Sequence, residues 1–250
     1  MSNLTRRQLL TNGGGALGAA ALGIPLLGAG TIQDKFKIVV TGGHPDDPET
    51  GCGGLIALLT QAGHEVSLVY LTRGEAGIPG KSHDEAAAIR TKEAEAACSI
   101  LKCSSFFLGQ VDGDAKTDNG QYRKMYDFLV SQKPDLLLTH WAVDTHRDHR
   151  ACSALTYDAW LQLENKPDLY FYEVLSGSQT QNFAPTDFVD ITAVKEIKRN
   201  ACLAHKSQKL DIYYEQIHGK MEEFRGMESG FTYAEAFIRH AWNPKRITDF

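Results

Sequence analysis

The chain lacks a cysteine framework. Its five cysteines, Cys52, Cys98, Cys103, Cys152 and Cys202, are odd in number, and no two are spaced as CxxC. That count and spacing argue against a disulfide scaffold or a cysteine zinc knuckle. They leave the thiols as small buried groups, with one pair the most that an oxidising compartment would add. The chain also lacks a basic excess: 26 Lys and Arg stand against 31 Asp and Glu, a net charge of −5. A nucleic-acid polyanion is a poor main partner for such a chain, because proteins that bind one carry a positive footprint. No internal repeat, low-complexity tract or linker marks a second domain.

One further absence is local. No charged residue occurs between Arg7 and Asp34. Thr5-Arg6-Arg7-Gln8-Leu9-Leu10 resembles a twin-arginine export signal, and a Gly/Ala/Leu run follows from Gly13 to about Gly30. Pro25 interrupts that run and its residues are small, so it makes a poor stable membrane span. Cleavage would fall near Ala29, without a clean A-x-A site. The expectation is a signal segment over 1–33 and one catalytic domain over 34–250. The protein would be exported by the twin-arginine machinery to the periplasm or the exterior, or remain held there by an uncleaved leader.

From Lys35 onward, short apolar runs alternate with helical patterns. Strands are expected at Phe36–Thr41, Glu65–Leu71, Ser105–Leu108, Asp135–Thr139, Leu169–Val174 and Asp187–Ile191. Helices are expected at Glu49–Ala62, Asp84–Lys102, Tyr122–Ser131, Ala151–Leu163, Ile191–Ala204 and Lys209–Arg225. This alternation predicts a Rossmann-like α/β fold: an open, mainly parallel sheet with helices on both faces.

In such sheets ligands bind beyond the carboxyl ends of the strands. The first strand runs into Gly42-Gly43-His44-Pro45-Asp46-Asp47-Pro48-Glu49, and the fourth into Thr139-His140-Trp141 and then Asp144-Thr145-His146-Arg147-Asp148-His149. Two clusters of His and Asp therefore emerge on one rim. Imidazole and carboxylate suit a zinc-type divalent ion, and three protein ligands would leave a place for water. Each piece alone has a plain structural reading, as an Asp capping a helix or a solvated helix start. Their joint occurrence with a spare carboxylate points to catalysis.

His44-Pro45-Asp46-Asp47-x-Glu49-x-Gly51-x-Gly53-Gly54 resembles the signature of the PIG-L/LmbE family of zinc-dependent N-acetylglucosaminyl deacetylases, and His146-x-Asp148-His149 resembles its second motif. Further likenesses are Thr72 to Gly77, Arg90-x-x-Glu93, Asp190-Ile191-Thr192, His205 to Gln208, Phe224-Arg225-Gly226 and Tyr233 to Phe237. Gly42 and Gly43 stand where the family usually has an apolar residue or alanine, a change expected to be tolerated. The resemblance implies that His44, Asp47 and His149 hold Zn2+, that Asp46 is the general base and that His146 stabilises the oxyanion. Spacing alone does not assign these roles, because Pro45 breaks the strand geometry in which His44 and Asp46 would share a face.

Asp148 is read either as a partner that orients a histidine or as a cap of the helix near His149. Arg73 and Glu75, on the Gly-rich loop after the second strand, are candidate sugar contacts or a loop ion pair. His64, His83 and His218 read as surface residues, and His205 as a helix-end residue. The expected partner is an N-acetylated sugar or oligosaccharide. Three alternatives stand beside this reading. The first is a Rossmann nucleotide binder on Gly51-x-Gly53, although Ile56 stands where the last glycine belongs. The others are a non-catalytic metal or carbohydrate module and an amidase for a larger acyl or thiol-conjugate substrate.

Overall fold

A computed structural model describes residues 35–241, so the expected export segment lies outside the described residues. The chain runs β1 (Lys37–Gly42), α1 (Asp47–Gln61), β2 (Glu65–Tyr70), α2 (His83–Leu101), β3 (Ser104–Phe107), α3 (Asn119–Gln132), β4 (Leu136–His140), α4 (Arg147–Gln162), β5 (Asp168–Tyr172), β6 (Asp187–Asp190), α5 (Lys195–Leu203), α6 (Leu210–Tyr213), α7 (His218–Ser229) and β7 (Ala234–Arg239). The seven strands form one sheet in the order β3-β2-β1-β4-β5-β7-β6. β1 to β5 are parallel, and β7 pairs antiparallel with both β5 and β6. The expected open, mainly parallel α/β sheet is therefore what forms.

Successive strand residues point to opposite faces, and here both faces are buried. Ile38, Val40, Leu68 and Tyr70 pack on one side with Leu55 and Leu59 of α1 and Ala97 of α2. Val39, Val69 and Leu137 pack on the other with Leu129 of α3 and Leu155 and Trp160 of α4. This explains why the strands read as continuous apolar runs.

The glycines after the His-Pro-Asp-Asp turn lie inside α1, and their value is lack of bulk. A Cβ on Gly51 would collide with the Tyr172 ring and one on Gly54 with Ile191, while one on Gly53 would come within 2.8 Å of Lys198 Cγ. They let α1 press against β5 and α5, a packing role that removes the motif basis for the nucleotide reading.

Two expectations need correction. The single helix over Lys209–Arg225 is broken into α6 and α7, preceded by a 3₁₀ turn at Lys206–Gln208. Lys209 enters in the left-handed region (φ 57°), and Ile217 leaves helical geometry (φ −120°, ψ −74°) just before α7. Between them Tyr214 turns inward onto Cys202 and Leu210. The second correction is β7, for which Ala-Glu-Ala gave no strand signal. Its strand state is imposed by neighbours on both sides.

Candidate active site

In the strand order, β1 lies between β2 and β4, so the crevice between the carboxyl ends of β1 and β4 is a topological switch point. β1 runs through Gly43 into the turn that starts α1, and β4 ends in His140, with α4 following at Arg147. These ends bring His44, Asp46, Asp47, His146 and His149 into one cleft of about 220 Å³.

The buried Asp47 carboxylate is the hub. Its Oδ2 lies 3.2 Å from both His44 Nδ1 and His140 Nε2, and its Oδ1 lies 3.2 Å from His149 Nε2. The backbone N–H of His44 also donates to Oδ2 at 2.8 Å. The remaining ring nitrogens of His44 and His149 face other carboxylates. His44 Nε2 is 3.0 Å from Asp112 Oδ1 and 3.2 Å from Asp148 Oδ2, and His149 Nδ1 is 3.2 Å from Asp144 Oδ1. Such outer carboxylates fix ring orientation and leave the inner nitrogen as a ligand.

Donors held by a tetrahedral zinc ion at about 2.0–2.2 Å stand roughly 3.3 Å apart. The 3.2 Å spacings of His44 and His149 from Asp47 meet that requirement pair by pair, His44 through Asp47 Oδ2 and His149 through Oδ1. The donor atoms of His44, His146 and His149 lie within 4.8 Å of one another, as do those of Asp47, His140 and His149. The residues present therefore fit a zinc-type ion. His140 is the less available ligand, because its Nε2 accepts from the Gly43 N–H (3.0 Å) and lies 3.2 Å from the Tyr172 hydroxyl. Its ring instead stacks on His149, with centroids 4.1 Å apart.

The electrostatics separate the two aspartates. Burial works to raise the Asp47 pKa, but His149 and His140 outweigh it and hold the group well below the usual carboxylate range. Burial raises the Asp46 pKa and Arg90 only partly offsets this, so Asp46 ends above the usual range. Burial pushes His140 down to about 4, with His149 adding to the effect. His149 goes the other way, up to about 9, because Asp47 and Asp144 overcome its burial.

Asp46 sits outside the histidine shell. Its Oδ2 accepts from Arg90 Nη2 at 3.0 Å. His146 lines the same cleft, and its Nδ1 accepts the Asp148 backbone N–H at 3.3 Å, which puts the ring proton on Nε2. Burial, then the neighbouring His44 and His149, lower its pKa, so the ring is a neutral N–H donor at pH 7.

Asp148 resolves between its two readings. His146 is the cap of α4. Asp148 lies in the first turn, accepts from the Gly113 (2.7 Å) and Ala115 (3.2 Å) N–H groups, and turns Oδ2 toward His44. Burial opposes its charge, yet His44 and the Gly113 amide hold its pKa down to about 2.

Arg73 and Glu75 are not brought to the cleft. Arg73 Nη1 donates to Thr91 Oγ1 at 2.9 Å and its guanidinium lies over Phe107 at 4.7 Å. Glu75 accepts from the backbone N–H groups of Arg73 (2.9 Å) and Asp112 (3.2 Å), so it braces Asp112. Arg90, Asp112 and His218 also line the cleft, and His140 is buried against the His149 ring. His218, expected at the surface, is buried, and burial together with Lys198 takes its pKa down to about 3. His64 is also buried rather than exposed, with Nδ1 accepting from Phe36 N–H at 3.3 Å. The advance signals were the Arg90-x-x-Glu93 likeness and the place of His140 in the cluster that ends the fourth strand.

An open α/β sheet with a histidine–carboxylate centre and a spare carboxylate at its switch point defines the class: an α/β enzyme built around a metal-binding donor set. Residues 39–160 match the PIG-L family, described as GlcNAc-PI de-N-acetylase. The uncharacterized deacetylase YaiS of Escherichia coli is 30% identical over 188 residues, covering 71% of this chain and 94% of YaiS. A diacetylchitobiose deacetylase of Thermococcus kodakarensis is 26% identical over 222 residues, covering 82% of this chain and 83% of that protein. The solved N,N'-diacetylchitobiose deacetylase of Pyrococcus horikoshii shares the fold, with a TM-score of 0.75 at 24% identity over 99% of this chain and 98% of its own. The chain belongs to the PIG-L family of deacetylases.

Proposed function

We propose that the chain is a zinc-dependent N-deacetylase that hydrolyses the acetyl amide of an N-acetylglucosamine-type sugar or glycoconjugate, giving acetate and a free amine. The observation that carries this reading is the division of labour between adjacent aspartates. Asp47 is enclosed by histidines, while Asp46 faces the cleft beside them with its pKa raised. A non-catalytic module has no use for the second carboxylate. The diacetylchitobiose deacetylase relative supports the sugar class.

His44, Asp47 and His149 would hold the ion, which when bound activates water and polarises the acetyl carbonyl. Asp46 removes a proton from the attacking water and returns one to the departing amine. His146 offers its Nε2–H to the oxygen on which negative charge develops. Asp112, Asp148 and Asp144 hold the two metal-binding imidazoles in orientation. The apolar run behind Arg6 and Arg7 supports export by the twin-arginine route, and Arg6→Lys/Arg7→Lys should then leave the folded protein in the cytoplasm. Normal export of that variant would refute the route.

The test of the activity is a panel of N-acetylated sugars assayed for acetate before and after chelation. Acetate release should disappear with the metal and return with added zinc. Hydrolysis confined to longer acyl amides or thiol conjugates would make the protein an amidase of the same family. Silence across the panel and those amides would make it a binding module.

A further inference from the structure

Asp46 is held in an unusual backbone state. Its φ is 107° and its ψ −27°, a left-handed region costly for any residue with a Cβ. Most residues that precede a helix are extended there. Three contacts hold Asp46 in place. Arg90 Nη2 donates both to Asp46 Oδ2 (3.0 Å) and to the Pro45 carbonyl, and the Asp46 backbone N–H donates to Glu49 Oε2 at 3.2 Å.

The Glu49 contact would be an ordinary capping box if Glu49 were exposed, as a residue in the first turn of a helix usually is. It is wholly buried instead. Its Oε1 accepts from the Tyr70 hydroxyl at 2.7 Å and faces His205 Nε2 at 3.1 Å. Cys202 Sγ lies 3.4 Å from the Glu49 carbonyl. His205 is delivered by the turn after α5, and that turn is tied to α2 where Ser207 N and Oγ donate to Glu93 at 2.8 and 2.6 Å. Arg90 and Glu93, one turn apart on α2, thus grip the two ends of one chain of contacts: Asp46, Glu49, His205, Ser207.

We propose that Glu49 and His205 are positioning residues that hold Asp46 in its left-handed conformation, with the carboxylate aimed into the cleft. The role rests on the reading of Asp46 as the base. Glu49 must accept on both sides at once, from the Asp46 amide through one oxygen and from Tyr70 and His205 through the other. An isosteric amide has one accepting end and cannot do so. His205 supplies a donor from a segment over 150 residues away in the chain, so the base is set only when the late part of the fold is docked.

The experiment measures kcat, KM and zinc content for His205→Ala, His205→Gln and Tyr70→Phe, with His205→Ala repeated in an Asp46→Asn background. A base displaced by about 1 Å loses on the order of a hundredfold in rate. His205→Ala should lower kcat by roughly ten- to a hundredfold with KM and zinc content unchanged. His205→Gln, which keeps a donor near the Nε2 position, should recover most of that loss. Tyr70→Phe removes the other donor without creating a large cavity, and should give a smaller fall in kcat of the same kind, which keeps the test open if His205→Ala does not fold. In the Asp46→Asn background, His205→Ala should cost less than about twofold, because there is no base left to misplace. If the two losses multiply, or His205→Ala lowers thermal stability while the folded protein keeps its kcat, the positioning role is overturned. Full activity of Asp46→Asn alone would remove the base assignment, and the positioning role would fall with it.

Discussion

Two polar clusters lie on either side of α1, and they are built on opposite principles. In the cleft, Asp46, Asp47, His44, His146 and His149 line one cavity. Behind α1, Lys198 is enclosed by Glu235 (2.8 Å) and Glu222 (3.0 Å), and Arg225 grips Glu173 through paired bonds of 2.6 and 2.7 Å. Burial opposes the Lys198 charge, yet Glu222 and Glu235 more than compensate and its pKa is raised. Glu235 also accepts the Gly54 and Leu55 N–H groups. The rear cluster pairs its charges within the protein and holds elements together. The front cluster keeps donors for something that is not protein.

That contrast is broken or sharpened by substitutions that separate rate from stability. The largest effect should come from the front. Asp46→Asn should keep its metal and its melting temperature while hydrolysis falls about 10²–10⁴-fold. Asp47→Asn should lose metal as well as rate, and His146→Ala should keep metal while losing about a hundredfold or more. Zinc content measured beside acetate release distinguishes the three. An Asp46→Asn protein without metal, beside an active Asp47→Asn, would exchange the two roles.

The rear should answer in the opposite currency. Lys198→Met leaves Glu222 and Glu235 buried without their cation, a change costing about 3–5 kcal/mol. For a chain of this size that lowers Tm by roughly 6–20 °C. The folded fraction, assayed at low temperature, should keep its kcat. A catalytic loss without destabilisation would merge the two clusters into one functional unit.

The smallest effect is a displacement on the pH axis. A base works as the carboxylate, so kcat/KM rises with pH through its pKa in the folded enzyme. Burial raises that pKa for Asp46, and Arg90 pulls it partly back. Arg90→Met removes the pull, so the acid limb should move to higher pH in profiles taken at saturating zinc. A limb that stays in place or moves to lower pH would mean that another group controls it.

The contrast also explains what could be read in advance. β1, β2 and β4 are buried on both faces, so Ile38 to Val40, Val66 to Tyr70 and Leu136 to Leu138 announce themselves as apolar runs. His44, Asp46, Asp47, His146 and His149 were legible because each lies in the segment that joins a strand end to the next helix or in that helix's first turn. Arg90 was not, because an arginine in an Ala/Glu-rich helix looks solvated until the turn at Pro45 is placed against it. Asp112 looked like loop polarity and His218 like surface. Both acquire meaning only from contacts distant in sequence. β7 was invisible for a related reason: Glu235 faces inward to Lys198, which inverts the expected link between charge and exposure.

The last strand among the described residues, β7, is not at the edge of the sheet. β7 lies between β5 and β6, so β6 has no route into the sheet until Ala234–Arg239 exists. A chain emerging N-terminus first can lay down β1 to β5 as it is made. Until Ala234–Arg239 has been made, the Tyr170–Tyr172 edge of β5 stays bare and able to pair with a stranger. A chain clipped before Ala234 keeps that sticky edge, and its α1 lacks the Glu235 clasp on Gly54 and Leu55.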